Sequence, residues 1–390
     1  MTPTAATLAL VESPVQLLNA LEWAHARGAD DAARGPLLGS VPRQPAHREA
    51  HREPGGGAGG GPGAAAPLRI VVLPPTDPMS RGQLRRMAGL ARDEGHEVRW
   101  QEARGGKLAP FKALVALVRE VRAARRVVIG DPFSRYVQLL LTLVRADELV
   151  VVDDGTATME FIDRAARGER LVRWHRAGGG GLPGRIRELA YAPVSGTARR
   201  RFTAVREGRR VEVFTSMPVT APPGMGLRLN DFGWTRSRFG PPRLTKGTDL
   251  VGTSLVETGV VDPDRYLAAV RALAREHGAT RYFAHRRESP DKLRALSEAT
   301  GLEIVRPDLP LELIARRGPV GRTVVSFPST VVHTLPYALA GTGVTVAVRE
   351  IDPAWLTRDA SPRARGFLAG VAGTARDVRR LPAHTAQTAR

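Results

Sequence analysis

Three short stretches carry side chains that could act together on a phosphate ester and a hydroxyl. Asp153-Asp154-Gly155 follows the apolar run Glu148 to Val152, His285-Arg286-Arg287-Glu288 follows Thr280 to Ala284, and Ser329-Thr330 follows Val324 to Phe327 and Pro328. A carboxylate can take the proton from an attacking alcohol, while an imidazole, guanidiniums and hydroxyls stabilise the negative charge of a departing phosphate. Each stretch also suits an ordinary turn or helix cap, since Asp, Gly, Ser and Thr favour such backbone. Taken together they are the equipment of an enzyme that moves a sugar from a nucleotide to an acceptor hydroxyl.

The elements around them place all three at strand ends. Val324 to Phe327 is β-branched and aromatic, Pro328 ends the pairing, and Ser329 and Thr330 are N-cap candidates for the apolar run Val331 to Leu339. A helix N-terminus presents free N–H groups, so two hydroxyls there make a phosphate seat. Upstream, Ala5 to Val11 reads as a strand and Glu12-Ser13-Pro14-Val15-Gln16 turns into a helix. Ser13 and Gln16 then lie at the carboxyl end of the first strand, where open α/β sheets bind ligands. Strands alternate with helices along the rest of the chain, with stops such as Gly95, Gly278 and Gly301. That alternation predicts parallel, doubly wound sheets.

The pattern predicts two halves of similar size. Residues 1–240 form an N-terminal α/β domain with a flexible Gly/Pro-rich insertion at 35–67 and an Arg-rich region at 162–210. Residues 241–380 form a second α/β domain, and 381–390 form a disordered tail. The glycines of Gly55 to Gly63 imitate a dinucleotide fingerprint but follow no strand, so that reading fails. Residues 222–242 read as a loop leading to the crossover.

The chain has 390 residues, 42% of them hydrophobic, no cysteine and a formal charge of +19 carried mostly by arginine. Disulfides and thiolate metal sites are excluded. The charge suits an anionic partner such as a nucleotide, an acidic glycan or lipid headgroups. No zinc finger or RNA-recognition pattern supports nucleic acid. No secretory leader and no apolar stretch long enough to span a bilayer is evident, so the expected location is the cytoplasm, with contact to the inner face of the membrane through the Arg-rich segment.

The three motifs, in this order, resemble the signature motifs of the bacterial sialyltransferase superfamily: a paired acid followed by Gly, a His-Pro pair, and Ser-Ser/Thr. The stretch Glu12 to Ala20 is similar to the opening of its α-2,8-polysialyltransferase and lipooligosaccharide sialyltransferase families. The resemblance covers most of the chain outside the insertion. It implies a GT-B-like α/β fold, two facing Rossmann-like domains with a cleft between them. It also implies metal-independent, cofactor-free, inverting transfer from a CMP-sugar to a glycan or glycolipid hydroxyl. By the resemblance Asp153 is the base, Asp154 is the second candidate or an orienting group of the loop, and His285 assists phosphate departure; Asp154 and Gly155 then stand on the acceptor side with Ser13 and Gln16. Ser329 and Thr330 hold the phosphate, and Glu312 accepts the cytosine amino group; the cations of Arg286 and Arg287, read from the residues themselves, suit the same phosphate. One departure is that Arg286 stands where the family has Pro, which leaves another nucleotide sugar open. A further alternative is a basic module that binds anionic polymer with a degenerate site.

Overall fold

The computed structural model describes residues 7–33, 67–104, 106, 109–172, 182–203, 208–358 and 360–382. The insertion expected at 35–67 and the tail at 381–390 fall almost entirely outside these residues.

The first part alternates β1 (Thr7–Val11), α1 (Pro14–Ala33), β2 (Arg69–Val72), α2 (Pro78–Asp93), β3 (Glu97–Trp100), α3 (Ala109–Ala123), β4 (Arg126–Ile129) and α4 (Arg135–Leu141). It continues with β5 (Glu148–Val152), α5 (Thr156–Ala166), α6 (Leu182–Thr203), β6 (Arg210–Thr215), β7 (Met225–Leu229) and α7 (Gly233–Arg238). The second part runs β8 (Leu244–Val251), α8 (Pro263–His277), β9 (Ala279–Phe283), α9 (Pro290–Thr300), β10 (Glu303–Val305) and α10 (Leu311–Arg317). It ends with β11 (Val320–Ser326), α11 (Val331–Ala338), β12 (Thr345–Arg349), α12 (Pro362–Thr374) and β13 (Arg379–Leu381).

Both sheets are parallel throughout. The strand orders are β3-β2-β1-β4-β5-β6-β7 and β10-β9-β8-β11-β12-β13. Each contains the 3-2-1-4-5-6 Rossmann order, with a switch point between β1 and β4 and another between β8 and β11. The central strands β1 and β5 are buried along their whole length, as strands covered on both faces must be. Caps fix the helix ends. The Asp262 carboxylate accepts the Arg265 N–H at 3.0 Å at the start of α8, and Gly278 ends that helix at φ 57°.

Two segments differ from the sequence expectation. Residues 222–242 hold the edge strand β7 and the short helix α7, because β7 completes the sheet beside β6 through register pairs such as Val213 with Leu227. Its composition, rich in Gly and Pro at both ends, hid a strand of only 5 residues. The Arg-rich region contains the 22-residue helix α6, whose Ala198 and Phe202 pack into the core below the first sheet.

The two sheets point their carboxyl ends at one another. Leu309, Leu313 and Ala338 of the second part share a core with Leu17, Leu21 and Trp234 of the first. The Gln83 side-chain amide donates to the Pro307 carbonyl at 2.8 Å, and Arg86 pairs with Asp308 at 3.3 Å. The result is a GT-B-like α/β arrangement of two Rossmann-like units with a cleft between them.

Candidate functional site

β5 ends in the paired acids, and the two carboxylates have different surroundings. Asp153 is only 2% exposed. One of its oxygens accepts the Gly155 N–H at 3.0 Å; the other accepts the Thr215 hydroxyl at 3.0 Å and the Ser216 N–H at 3.3 Å. Burial pushes its carboxyl upward, against these bonds. Asp153 therefore ties the end of β5 to the end of β6. Asp154 is half-buried, and the Ser13 hydroxyl donates to it at 3.4 Å. It also lies within electrostatic reach of Arg286 from the other side of the cleft. The structure thus gives Asp153, the base implied by the resemblance, a buried tying position, and turns Asp154 toward the second half.

Gly155 has φ +65° and ψ −123°, a conformation that side chains resist. A Cβ there would lie 3.1 Å from the Thr330 methyl and 3.2 Å from its hydroxyl. Glycine is what lets the first motif close against the third.

The β9–α9 loop is built by a buried carboxylate. Glu288, 3% exposed, accepts the His285 N–H at 2.6 Å and the Tyr282 hydroxyl at 2.6 Å, and pairs with Lys292 at 2.8 Å. It does not serve the adjacent arginines; Arg286 is exposed and lies near Asp154 and Asp77 of the first half. A Cβ at Gly252 would fall 2.2 Å from Glu288, so the β8 turn needs glycine to admit it. His285 Nδ1 accepts the Arg287 N–H at 3.2 Å, which assigns the ring proton to Nε2. Burial first, then Arg286, Arg287 and Lys292, lower its pKa to about 4. At neutral pH His285 is a neutral hydrogen-bond donor.

After β11 the backbone carbonyls of Ser329 and Thr330 start α11, accepting from Val332 N at 3.3 Å and His333 N at 3.0 Å. Thr330 occupies the expected N-cap position of α11, but its side chain makes no capping hydrogen bond there. Its hydroxyl faces Gly155, and the Ser329 hydroxyl lies 3.3 Å from that of Ser326. Glu312, in the first turn of α10, is 7% exposed, and Thr334 donates to it at 2.6 Å. Burial raises its carboxyl. Ser13 accepts the Gln16 N–H at 3.2 Å as well as touching Asp154. Gln16 is buried, its side-chain oxygen accepting the Glu12 N–H at 2.8 Å, and it fills the space over Gly130. It closes the β1–α1 turn and contributes no exposed group.

Two further groups belong to this region. Glu12, 8% exposed at the end of β1, pairs with Arg104 and accepts the Ser134 hydroxyl at 2.9 Å. Burial raises its pKa to about 7, with Asp131 adding to the effect and Arg104 opposing it. The signal was its place at the switch point, but its partners come from loops far along the chain. His333 is 4% exposed, and its Nε2 has no hydrogen-bond partner among the described residues. It shares a helix face with Thr330, which meets Gly155, and with Tyr337, which packs into the core shared by the halves. An imidazole inside an apolar run gave no periodic signal.

Among the described residues no cluster of three His, Asp or Glu side chains could hold a metal ion, and no helix is long and apolar enough to cross a membrane.

No family model and no curated protein matches the chain. Solved structures do. An α/β-galactoside α-2,3-sialyltransferase from Photobacterium phosphoreum is 8% identical, with 96% of this chain and 98% of that one covered at a TM-score of 0.48. A putative UDP-N-acetylglucosamine 2-epimerase from Listeria monocytogenes is 11% identical, with coverage of 89% and 79% and a TM-score of 0.42. The E. coli heptosyltransferase WaaC is 11% identical, with coverage of 89% and 90% and a TM-score of 0.36. Likenesses this distant assign no activity to this chain.

Proposed function

We propose that this protein is an inverting glycosyltransferase that moves sialic acid, or a related nonulosonic acid, from its CMP ester to a glycan hydroxyl. The observation that carries the reading is convergence. Gly155 meets Thr330 across the cleft, and Asp154 lies within electrostatic reach of Arg286, which supports a single site built from the three motifs.

The acceptor hydroxyl gives its proton to Asp154, and its oxygen attacks the anomeric carbon. The bond from that carbon to the phosphate oxygen breaks, and its electron pair leaves with CMP. His285 Nε2–H, Arg286 and the hydroxyls of Ser329 and Thr330 receive the charge that develops on the phosphate. Arg287 adds positive potential at the loop. Asp153 holds the catalytic loop, a positioning role, because its oxygens already accept three hydrogen bonds. Glu312 accepts the cytosine amino group, and His333 offers its unpartnered nitrogen to the same donor seat.

The test is turnover of CMP-sialic acid with a panel of glycan acceptors, following both CMP release and the transferred sugar. Asp154→Asn should lower kcat by roughly 10²–10⁴-fold while CMP binding is kept. Undiminished kcat in that variant would remove Asp154 as the base. A second reading, a UDP- or GDP-sugar donor, is favoured by Arg286, since an added cation beside His285 suits an added phosphate.

A further inference from the structure

The outward face of α3 is unusual for this chain. Phe111 is 65% exposed and Val115 is 74% exposed, one helical turn apart. Val118, half-exposed, continues the strip. The opposite face, with Ala113, Leu117 and Val121, is fully buried against the first sheet. Lys112, Arg119 and Arg122 stand exposed beside the apolar strip. The helix has one acid, Glu120, and it pairs with Arg99 of β3. An apolar ridge with cations along it matches an anionic lipid surface in both its components: the ridge enters the acyl boundary, and the long cationic side chains reach headgroup phosphates.

Position supports the match. α3 follows β3, so its first turn lies at the carboxyl end of the sheet, the end that carries the cleft. Arg104, ahead of the helix, is held there, donating to the Leu73 and Pro74 carbonyls at 2.9 Å and pairing with Glu12. The Arg-rich stretch from 162 onward is a weaker candidate, because Arg164 and Arg167 are engaged by Glu160, Asp163 and Glu169.

We propose that the outward face of α3, through Phe111 and Val115 with Lys112, Arg119 and Arg122, seats the protein on an anionic lipid surface. The seat holds the first half of the cleft at the headgroup level. The inference does not depend on the sugar donor, and its test does not use turnover.

The experiment is co-sedimentation of the full chain with vesicles of phosphatidylcholine, with and without phosphatidylglycerol. Variants are Phe111→Ser/Val115→Ser and Lys112→Gln/Arg119→Gln/Arg122→Gln, with circular dichroism and gel filtration alongside. Wild-type protein should bind the anionic vesicles and not the neutral ones. Each variant should lose about tenfold or more in partitioning with an unchanged spectrum. Binding that survives the Ser substitutions, or no binding by the wild type, would overturn the proposal. So would a wild-type dimer that the Ser variant dissolves, which would make a second copy the occupant. If the Ser variant misfolds, quenching of a Val115→Trp variant by brominated lipid decides: quenching upholds insertion and its absence overturns it.

Discussion

Replacing Gly155 by alanine tests the contact between the two halves directly. The substitution carries two costs. Its φ of +65° with ψ of −123° lies outside the ordinary regions for a residue with a Cβ, a strain of about 1–3 kcal/mol. The new Cβ also lies 3.1 Å from the Thr330 methyl, so Thr330 or the loop must move. Removing that methyl with Thr330→Ser relieves part of the second cost, since the hydroxyl 3.2 Å from the new Cβ stays, and leaves the first. The double-mutant cycle should therefore show a favourable coupling of about 0.5–3 kcal/mol. Urea unfolding measures it in stability, and calorimetric titration with CMP measures it in donor affinity. Gly155→Ala alone should weaken CMP binding, and Gly155→Ala/Thr330→Ser should recover part of the loss. Additive effects in both assays would refute the claim that the two motifs touch.

Asp249 is fully buried, holds Arg281 at 2.9 and 2.7 Å and accepts the Gly321 N–H at 2.6 Å. Asp249→Ala strands the guanidinium and should cost about 3–5 kcal/mol by denaturant unfolding. Glu22 accepts the Trp234 and Thr235 N–H groups at 2.8 and 2.9 Å, and burial raises its pKa to about 7. An acid whose folded pKa is raised stabilises the fold fully below its unfolded value, and that contribution is lost as pH rises through about 7. Unfolding free energy measured from pH 4 to pH 8 should fall by roughly 3 kcal/mol on this account, and Glu22→Gln should flatten the slope. His333→Leu keeps the apolar packing and removes the unpartnered nitrogen, so it should weaken CMP binding without lowering stability; a stabilised variant with full affinity would make His333 a core residue only.

The three motifs were legible because each sits at the end of a buried parallel strand, and strand ends are readable from apolar runs and the turn residues after them. Gly278 and Gly301 marked helix ends for the same local reason. What the sequence could not show was which way each side chain turns. Asp153 and Asp154 are adjacent and chemically alike, and only Thr215 and Ser216, some sixty residues later, draw the first of them inward. Glu288 was indistinguishable from a partner for Arg286 or Arg287 until Tyr282 and Lys292 came to it. The strand β7 escaped because an edge strand of 5 residues with exposed Leu227 and Leu229 carries no buried pattern. The exposed ridge on α3 was not legible because apolar residues occur on both faces of that helix, and only the sheet decides that Ala113, Leu117 and Val121 are buried while Phe111 and Val115 are not.

The proposed donor seat is tested most directly by calorimetric binding of CMP, UMP and GMP to the purified protein, with His285→Ala and Glu312→Ala alongside. CMP should bind selectively, His285→Ala should weaken it through the phosphate, and Glu312→Ala should weaken it and erase the preference over UMP. A preference for UMP or GMP, or no nucleotide binding by the folded wild type, would contradict the CMP-sugar reading.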